Sequence, residues 1–294
     1  MFEIGLPTRL RVPVVAILAF LIAFAGRATA AEPMTADALA LRILDCEALY
    51  TVTDGLKPVS EGFWQIRFPA AQETTEEVEQ TRRVLNDLPL GPDRETGVYI
   101  FVKAFDGKRT ASAFVAHKPS LRALIERRKE VFEPIGVTAA STAQQVLEKI
   151  DRAPGSARWR AFGLVFGYPE YAVEFFVAAG EHEAETKRFV TRDFVNLPTF
   201  TSDQGRFVYA VPKGHVERDE DRELKSKTAE IIGRYQAWRS VYVDQHKLGA
   251  VELLRNWIHP PAVPVLPESC SVVAEGEFDN CIPRLRIFGR HRRR

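Results

Sequence analysis

The chain has 294 residues, of which 46% are hydrophobic, and it carries 40 basic and 39 acidic side chains. A chain of this length and apolar content can bury a substantial core, which excludes an intrinsically disordered protein. The formal net charge is only +1, and we expect no nucleic-acid partner.

The first residues have the three-part layout of a cleavable secretory signal peptide. Arg9 and Arg11 form the positively charged N-terminal region, and an apolar segment covers Val12 to Ala25. Ala28-Thr29-Ala30 provides the small residues of a cleavage site. The apolar segment is shorter than the roughly 20 residues that a permanent membrane span needs. We therefore expect cleavage after Ala30 or Ala31 and a periplasmic or secreted protein. The alternative is an uncleaved membrane anchor.

The first half of the mature chain predicts two helices, a strand, a hairpin and a further helix. The predicted helices cover Thr35 to Tyr50 and Glu73 to Leu88, a strand covers Phe63 to Phe68, and a third helix starts at Pro119. Between them, Val98 to Phe105 and Thr110 to Ala116 are rich in aromatic and β-branched residues and flank Asp106-Gly107. A tight turn between two such runs is typical of a β-hairpin.

The second half is predicted to be mostly helical. Helices are expected over Ser141 to Arg152, Ala157 to Phe166 and Pro169 to Ala179, with a strand over Phe207 to Val211. From Glu217 onward, Leu224, Ile231, Tyr235, Trp238 and Tyr242 recur at helical spacing and predict one long helix. His259-Pro260-Pro261 ends the regular structure.

These elements predict the α+β class. The N-terminal half should hold a small antiparallel sheet, including the hairpin, with flanking helices, and the C-terminal half should be mostly helical. We expect a single domain over residues 31–258, with a possible sub-division near 134–140. Residues 259–294 form a Pro-rich connector, a cysteine loop and a basic tail.

Three cysteines in an oxidising compartment allow one disulfide. Cys270 and Cys281 are the natural pair because they close a short polar loop. Cys46 falls on the apolar face of the first predicted helix, which favours a core residue over a reactive nucleophile.

Several short motifs together resemble a family of uncharacterised bacterial proteins that carry a domain of unknown function. They are Gly55-Leu56-Lys57-Pro58, the hairpin, the run from Phe162 to Pro169 with Val173 and Phe176, and Arg234-Tyr235. The resemblance implies a shared α+β scaffold and no known activity. The signal peptide, the stretch from about Gly180 to Ser202 and the C-terminal extension depart from it.

Motifs for zinc proteases, redox dithiols, serine hydrolases and dinucleotide binding are absent from the sequence. We expect no cofactor, no resident metal and no catalytic residue that the sequence identifies. Glu181-His182-Glu183 can hold a metal if it folds around an ion, but an exposed polar loop is favoured. Asp219, Asp221 and Glu223 alternate as calcium ligands do, yet acids at a helix start are better explained by the helix dipole.

The segment from Arg192 to His215 is the predicted ligand site, because it mixes charged and aromatic residues around glycines and prolines. The candidate binding residues are Tyr168, Arg192, Asp193, Lys213 and His215. In the alternative interpretation, the aromatic residues Phe200, Phe207 and Tyr209 belong to the core and the charges to the surface.

We expect an exported, soluble, non-catalytic protein that binds an unknown protein or small-molecule partner. The alternative is an extracytoplasmic hydrolase of unrecognised type, with His215 or His182 as general base beside a carboxylate. A third hypothesis is a peripheral envelope protein, because six arginines among the last eleven residues can contact an anionic surface.

Overall fold

The computed structural model of the protein describes residues 34–53 and 55–259, apart from the side chains at 202–206. The predicted signal peptide, the predicted Cys270–Cys281 disulfide and the basic tail lie outside the described residues. Within the described part of the chain, no helix has the length and apolar character needed to cross a membrane.

The elements follow one another as an α+β chain. The N-terminal part contains α1 (Ala36–Asp45), α2 (Leu49–Val52), β1 (Val59–Pro69), α3 (Glu76–Asn86), β2 (Arg94–Ile100) and β3 (Lys108–His117). The middle contains α4 (Lys118–Arg127), α5 (Lys129–Phe132), a 3-10 turn (Glu133–Ile135), α6 (Ala143–Arg152), α7 (Gly155–Val165) and α8 (Glu170–Thr186). The last part contains β4 (Arg192–Thr199), β5 (Ser202–Pro212), α9 (Asp219–Arg239), a π-helical turn (Ser240–Gln245) and α10 (Ala250–Ile258).

Threonine caps set the starts of three helices. The hydroxyl of Thr35 accepts from the Ala38 amide at 3.1 Å, and Thr75 does the same for Val78 at 3.3 Å. At α6, Thr142 and Gln145 form a reciprocal capping box. Each cap satisfies backbone N–H groups that the helix itself leaves without acceptors.

The first sheet is antiparallel with the strand order β1-β3-β2, so the hairpin β2–β3 places β3 at the centre. Asp106 and Gly107 at its tip both have positive φ, as a tight hairpin turn requires. In β1 a bulge interrupts the pairing between Glu61 and Gln65, and Gly62 within it has a φ of +83°. A bulge changes the direction in which neighbouring side chains point. The side chain of Glu61 is one of these neighbours.

The core consists of two hydrophobic clusters on opposite faces of this sheet. Strand β3 sends Ala113 and Val115 into one cluster and Phe114 and Ala116 into the other, as the period of two in a strand dictates. The first cluster gathers α1–α3, the β4–β5 pair, α9 and α10, and the second gathers α4–α8. Core residues from both sides of the 134–140 stretch pack together in the second cluster.

The predicted class and the predicted small N-terminal sheet are confirmed, and so is the long C-terminal helix. Two local predictions were wrong. The first helix ends at Asp45, and Cys46 follows it in an extended conformation, although the cysteine is still buried. Glu181-His182-Glu183 is no loop, because α8 continues through it to Thr186. Strand β4 and helix α10 were not predicted as separate elements from the sequence.

Candidate functional site

A cleft lies between β4 and the first turns of α9, and we call it the Asp221 cleft. Its volume is about 310 Å³. The residues that line it are Asp193, Phe194, Val195, Asn196, Val211, His215, Glu217, Asp221 and Lys225. Charged side chains of both signs therefore surround a cleft whose rim carries Phe194, a phenylalanine that is 56% exposed.

Asp221 is fully buried and its carboxylate accepts four hydrogen bonds. Tyr209 donates to Oδ1 at 2.5 Å and Tyr171 donates to the same oxygen. His215 Nε2 and the Arg218 backbone N–H lie 2.8 Å from Oδ2. Burial alone opposes ionisation, but these hydrogen bonds prevail and hold the pKa of Asp221 well below its usual range.

The imidazole of His215 is fixed in position by its neighbours. Its ring stacks on Tyr171 with the centroids 5.4 Å apart and the planes 13° from parallel, and Arg218 covers the Tyr171 ring at 4.0 Å. The contact with Asp221 uses Nε2, so Nδ1 is the ring nitrogen that does not face this carboxylate. Burial raises the pKa of Tyr171 and of Tyr209, and their hydrogen bonds to Asp221 raise it further. Both hydroxyls therefore stay protonated donors.

Asp193 joins the strand β4 to the turn that follows β5. Its Oδ1 lies 2.6 Å from Lys213 Nζ, and its Oδ2 accepts from the Gly214 N–H at 2.8 Å. The hydrogen bond from Lys213 is the main reason that the pKa of Asp193 is lowered. Two of the five predicted binding residues, Asp193 and His215, thus line the Asp221 cleft, and a third, Lys213, pairs with Asp193 beside it.

The other two predicted binding residues, Arg192 and Tyr168, lie elsewhere. Arg192 precedes Asp193 on the strand, so its side chain leaves from the opposite face, where it forms a buried ion pair with Glu183 of α8. Tyr168 packs against Phe207 and Tyr209, with ring centroids 6.0 and 6.1 Å apart. The two aromatic residues Phe207 and Tyr209 are core residues, although Tyr209 also bonds to Asp221.

The other histidine hypothesis finds less support in the geometry. His182 is exposed on α8, and Glu183 turns inward to Arg192. Across the described residues, no group of three potential ligands is placed to hold a metal ion. Of the alternating acids, Asp219 pairs with Arg222 and Glu223 with Lys227, both at the surface, while Asp221 points into the protein.

Sequence reasoning did not identify Glu217 and Lys225, which line the cleft, or Tyr171, which holds Asp221 and His215 in place. Tyr171 lies on α8, 50 positions before the carboxylate that it binds. No local pattern connects two residues so far apart. The one available signal was Asp221 itself, an acid at the third position of a helix, which is where a capping carboxylate accepts the N-cap amide.

A second polar cluster lies inside the protein, behind the bulge of β1. Lys57 is fully buried, pairs with Glu47 and covers the Phe207 ring at 4.2 Å. Nearby, the Oε2 atom of Glu61 and the hydroxyl of Tyr99 are also buried. Burial is the largest influence on Glu61 and raises its pKa to about 7. We assign this cluster no ligand.

Cys46 is held by local contacts rather than placed in the cleft. Its Sγ lies 3.6 Å from the Ile43 carbonyl oxygen and 3.4 Å from the Ala48 amide nitrogen.

Comparison of the chain with known protein families, with curated proteins and with solved structures finds no match.

Proposed function

We propose that this chain is an exported protein that binds a small ligand or a protein partner in the Asp221 cleft. The observation that carries the proposal is the fixed position of His215, which lines the cleft and is held by Asp221 and Tyr171. A polar group that is fixed in advance loses little conformational entropy when a ligand binds to it.

The other lining groups support binding in the same way. Phe194 offers an exposed apolar surface at the rim, while Glu217 and Lys225 form an ion pair of 2.8 Å beside it. A few oriented polar groups around an apolar contact are typical of a ligand site. The N-terminal segment supports export, since it combines a positively charged region, a short apolar segment and a small-residue cleavage site.

Native mass spectrometry of the protein isolated from its own cell envelope tests this proposal. We expect a bound mass on the unmodified protein and its loss from the variant Phe194→Ser/Lys225→Gln. Leu248→Ser is the matched control, because Leu248 is also exposed and does not line the cleft. A mass kept equally by all three proteins, or no bound mass at all, contradicts the proposal.

A second candidate function is hydrolysis, and one distance favours it. His215 Nε2 lies 2.8 Å from Asp221 Oδ2, which is the arrangement in which a carboxylate orients a general base. Among the described residues that line the cleft there is no serine, threonine or cysteine, so water would be the attacking group. Reporter esters, amides and phosphoesters test this candidate. Turnover that disappears in His215→Ala supports it, and turnover that survives the substitution excludes the His215 mechanism.

The family resemblance stays a proposal of its own. In the structure, the segments 55–58 and 162–169 lie together, since Gly167 packs against the backbone of Lys57 and Tyr168 lies under its ammonium. Contact between two of the motifs that carry the resemblance supports a scaffold shared with that family. It adds no activity to the function proposed for the cleft.

A further inference from the structure

The tip of the β2–β3 hairpin exposes two large apolar side chains close together. Val102 is 51% exposed and Phe105 is 40% exposed. Single exposed apolar residues are common on protein surfaces and mean little by themselves. The surroundings of this pair are what distinguish it.

Within residues 101–109 three cations, Lys103, Lys108 and Arg109, accompany the apolar pair and one acid, Asp106, opposes them. Arg67 of β1 adds a fourth cation at the base of the tip. Lys103 and Lys108 are exposed on the tip itself. At its base, Arg67 donates to the Phe105 carbonyl at 2.9 Å and Arg109 donates to the Phe101 carbonyl at 3.3 Å. Because both acceptors are uncharged carbonyl groups, these hydrogen bonds leave the positive charges of Arg67 and Arg109 uncompensated. In the described part of the chain, none of the four forms an ion pair with a carboxylate.

The tip is held rigidly enough to present these side chains outward. Phe105 and Lys108 exchange two backbone hydrogen bonds of 2.8 and 3.0 Å around the turn. The Val102 amide donates to Asp151 Oδ2 at 2.7 Å, which ties the loop to α6. A surface that is already ordered loses little entropy on docking.

The other exposed apolar residues are single side chains, and two of them lie beside acidic residues. Phe194 lies next to the Asp193–Lys213 ion pair, and Val216 is followed by Glu217 and further acids. Phe189 also has cations beside it, Lys187, Arg188 and Arg192, and Leu248 follows Lys247, but each of these is a single exposed apolar side chain. The hairpin tip instead presents two exposed apolar side chains together with an excess of positive charge. This combination is typical of segments that rest in the interfacial layer of an anionic membrane.

We propose that the hairpin tip docks on an anionic lipid surface. Val102 and Phe105 enter the boundary between headgroups and acyl chains, and the cations Lys103, Lys108 and Arg67 contact acidic headgroups. A bilayer fits better than an acidic protein, because it supplies a dense array of negative charge and an apolar layer without a matching pocket. The attachment is peripheral and reversible, since two apolar side chains and a few charges bind weakly.

Co-sedimentation of the purified full-length protein with vesicles tests the charge and the apolar contributions. The vesicles contain about 30% phosphatidylglycerol in phosphatidylcholine, compared with pure phosphatidylcholine. A cation near such a surface contributes about fivefold to partitioning, so Lys103→Gln/Lys108→Gln should lower it about 25-fold. Val102→Ser/Phe105→Ser should lower it about tenfold. All four side chains are exposed, and unchanged circular dichroism verifies folding.

A site-specific readout separates the hairpin tip from the basic tail and from the N-terminal segment. Phe105→Trp places an indole at the tip, and brominated lipids quench only indoles that reach the bilayer. We expect extra quenching for Phe105→Trp in anionic vesicles and none for the matched variant Phe194→Trp. Equal quenching of the two variants overturns the proposal. So does partitioning that is unaffected by the serine pair, as an acidic protein partner or a tail-only attachment would produce.

Discussion

Tyr209 of β5 and Asp221 of α9 are joined by a 2.5 Å hydrogen bond between two buried side chains. Tyr171 of α8 donates to the same carboxylate oxygen. One carboxylate therefore links a strand and two helices, and it fixes His215 at the wall of the cleft. Removing its charge should disturb both the stability of the protein and the geometry of the site.

Asp221→Asn should lower the free energy of unfolding at pH 7 by about 2–4 kcal/mol, because an amide cannot accept from all four donors. The pKa of Asp221 is lowered in the folded state, so the stability that it contributes is present above its unfolded pKa of about 4. That contribution is lost as the pH falls further. Urea unfolding from pH 7 to pH 3 should show a steeper loss in the unmodified protein than in the variant.

Asp219→Asn is the matched control for that measurement. Asp219 lies two positions earlier, and its side chain is 94% exposed beside Arg222. An exposed ion pair contributes at most about 1 kcal/mol. Equal effects of the two substitutions would contradict the central role of Asp221.

The sequence predicted the α+β class because its signals are local. The turn at Asp106-Gly107 and the helical spacing through Tyr235 each depend on residues that lie close together in the sequence. The ion pair between Glu183 and Arg192 explains one error. Glu183 looked like part of an exposed polar run, and only a partner from the following strand makes its burial favourable.

The site was predictable only in part, for a related reason. Asp193, Lys213 and His215 were found because β4 and β5 form a hairpin, which keeps sequence neighbours together in space. Tyr171 was missed because α8 reaches the cleft only through tertiary packing. Adjacent Arg192 was wrongly grouped with Asp193, since a strand places consecutive side chains on opposite faces.

Glu61→Gln should stabilise the protein at alkaline pH. Burial raises the pKa of Glu61 to about 7, although a hydrogen bond with Tyr99 lowers it. The charges of Glu47 and Asp151 raise the pKa further, and the charge of Lys57 lowers it. The folded state thus holds this proton more tightly than the unfolded chain, whose glutamate titrates near pH 4.3. The contribution of Glu61 to stability is therefore complete below about pH 4 and is lost as the pH rises towards 7. This pH dependence is opposite in sign to that of the contribution of Asp221.

The expected gain for Glu61→Gln is about 2–3 kcal/mol at pH 8 and close to zero at pH 4. Denaturant unfolding at both pH values measures it. Glu185→Gln is the control, because Glu185 is exposed on α8. A gain that does not depend on pH would show that packing of the amide, and not the charge, is responsible.

Arg192→Met should destabilise the protein by about 3–5 kcal/mol, because it leaves the carboxylate of Glu183 buried without its partner. The double variant Glu183→Leu/Arg192→Met should recover most of that loss, since no uncompensated charge remains. Guanidinium unfolding of both single variants and the double variant completes a cycle. If the double variant is as unstable as the sum of the single variants, the two charges are not coupled.

Gly167→Ala should destabilise the protein more than Gly136→Ala. Gly167 has a φ of +75° and Gly136 a φ of +73°, so both substitutions carry the same backbone strain of about 1 kcal/mol. At Gly167 the new Cβ would also lie 3.3 Å from the Lys57 Cα, whereas at Gly136 no atom lies within 4 Å. The backbone of Lys57 cannot move away as a flexible side chain does, so we expect an additional loss of about 1 kcal/mol.

The difference in urea midpoint between the two alanine variants, at equal denaturant slope, measures this contact alone. The contact joins the segments 55–58 and 162–169, which are distant in the sequence. A larger loss for Gly167→Ala means that the approach of these segments restricts position 167 to glycine. Equal losses would mean that the two segments can separate without cost. The fully buried Lys57 would then be held by its ion pair with Glu47 and its contact with Phe207, and not by the turn at Gly167.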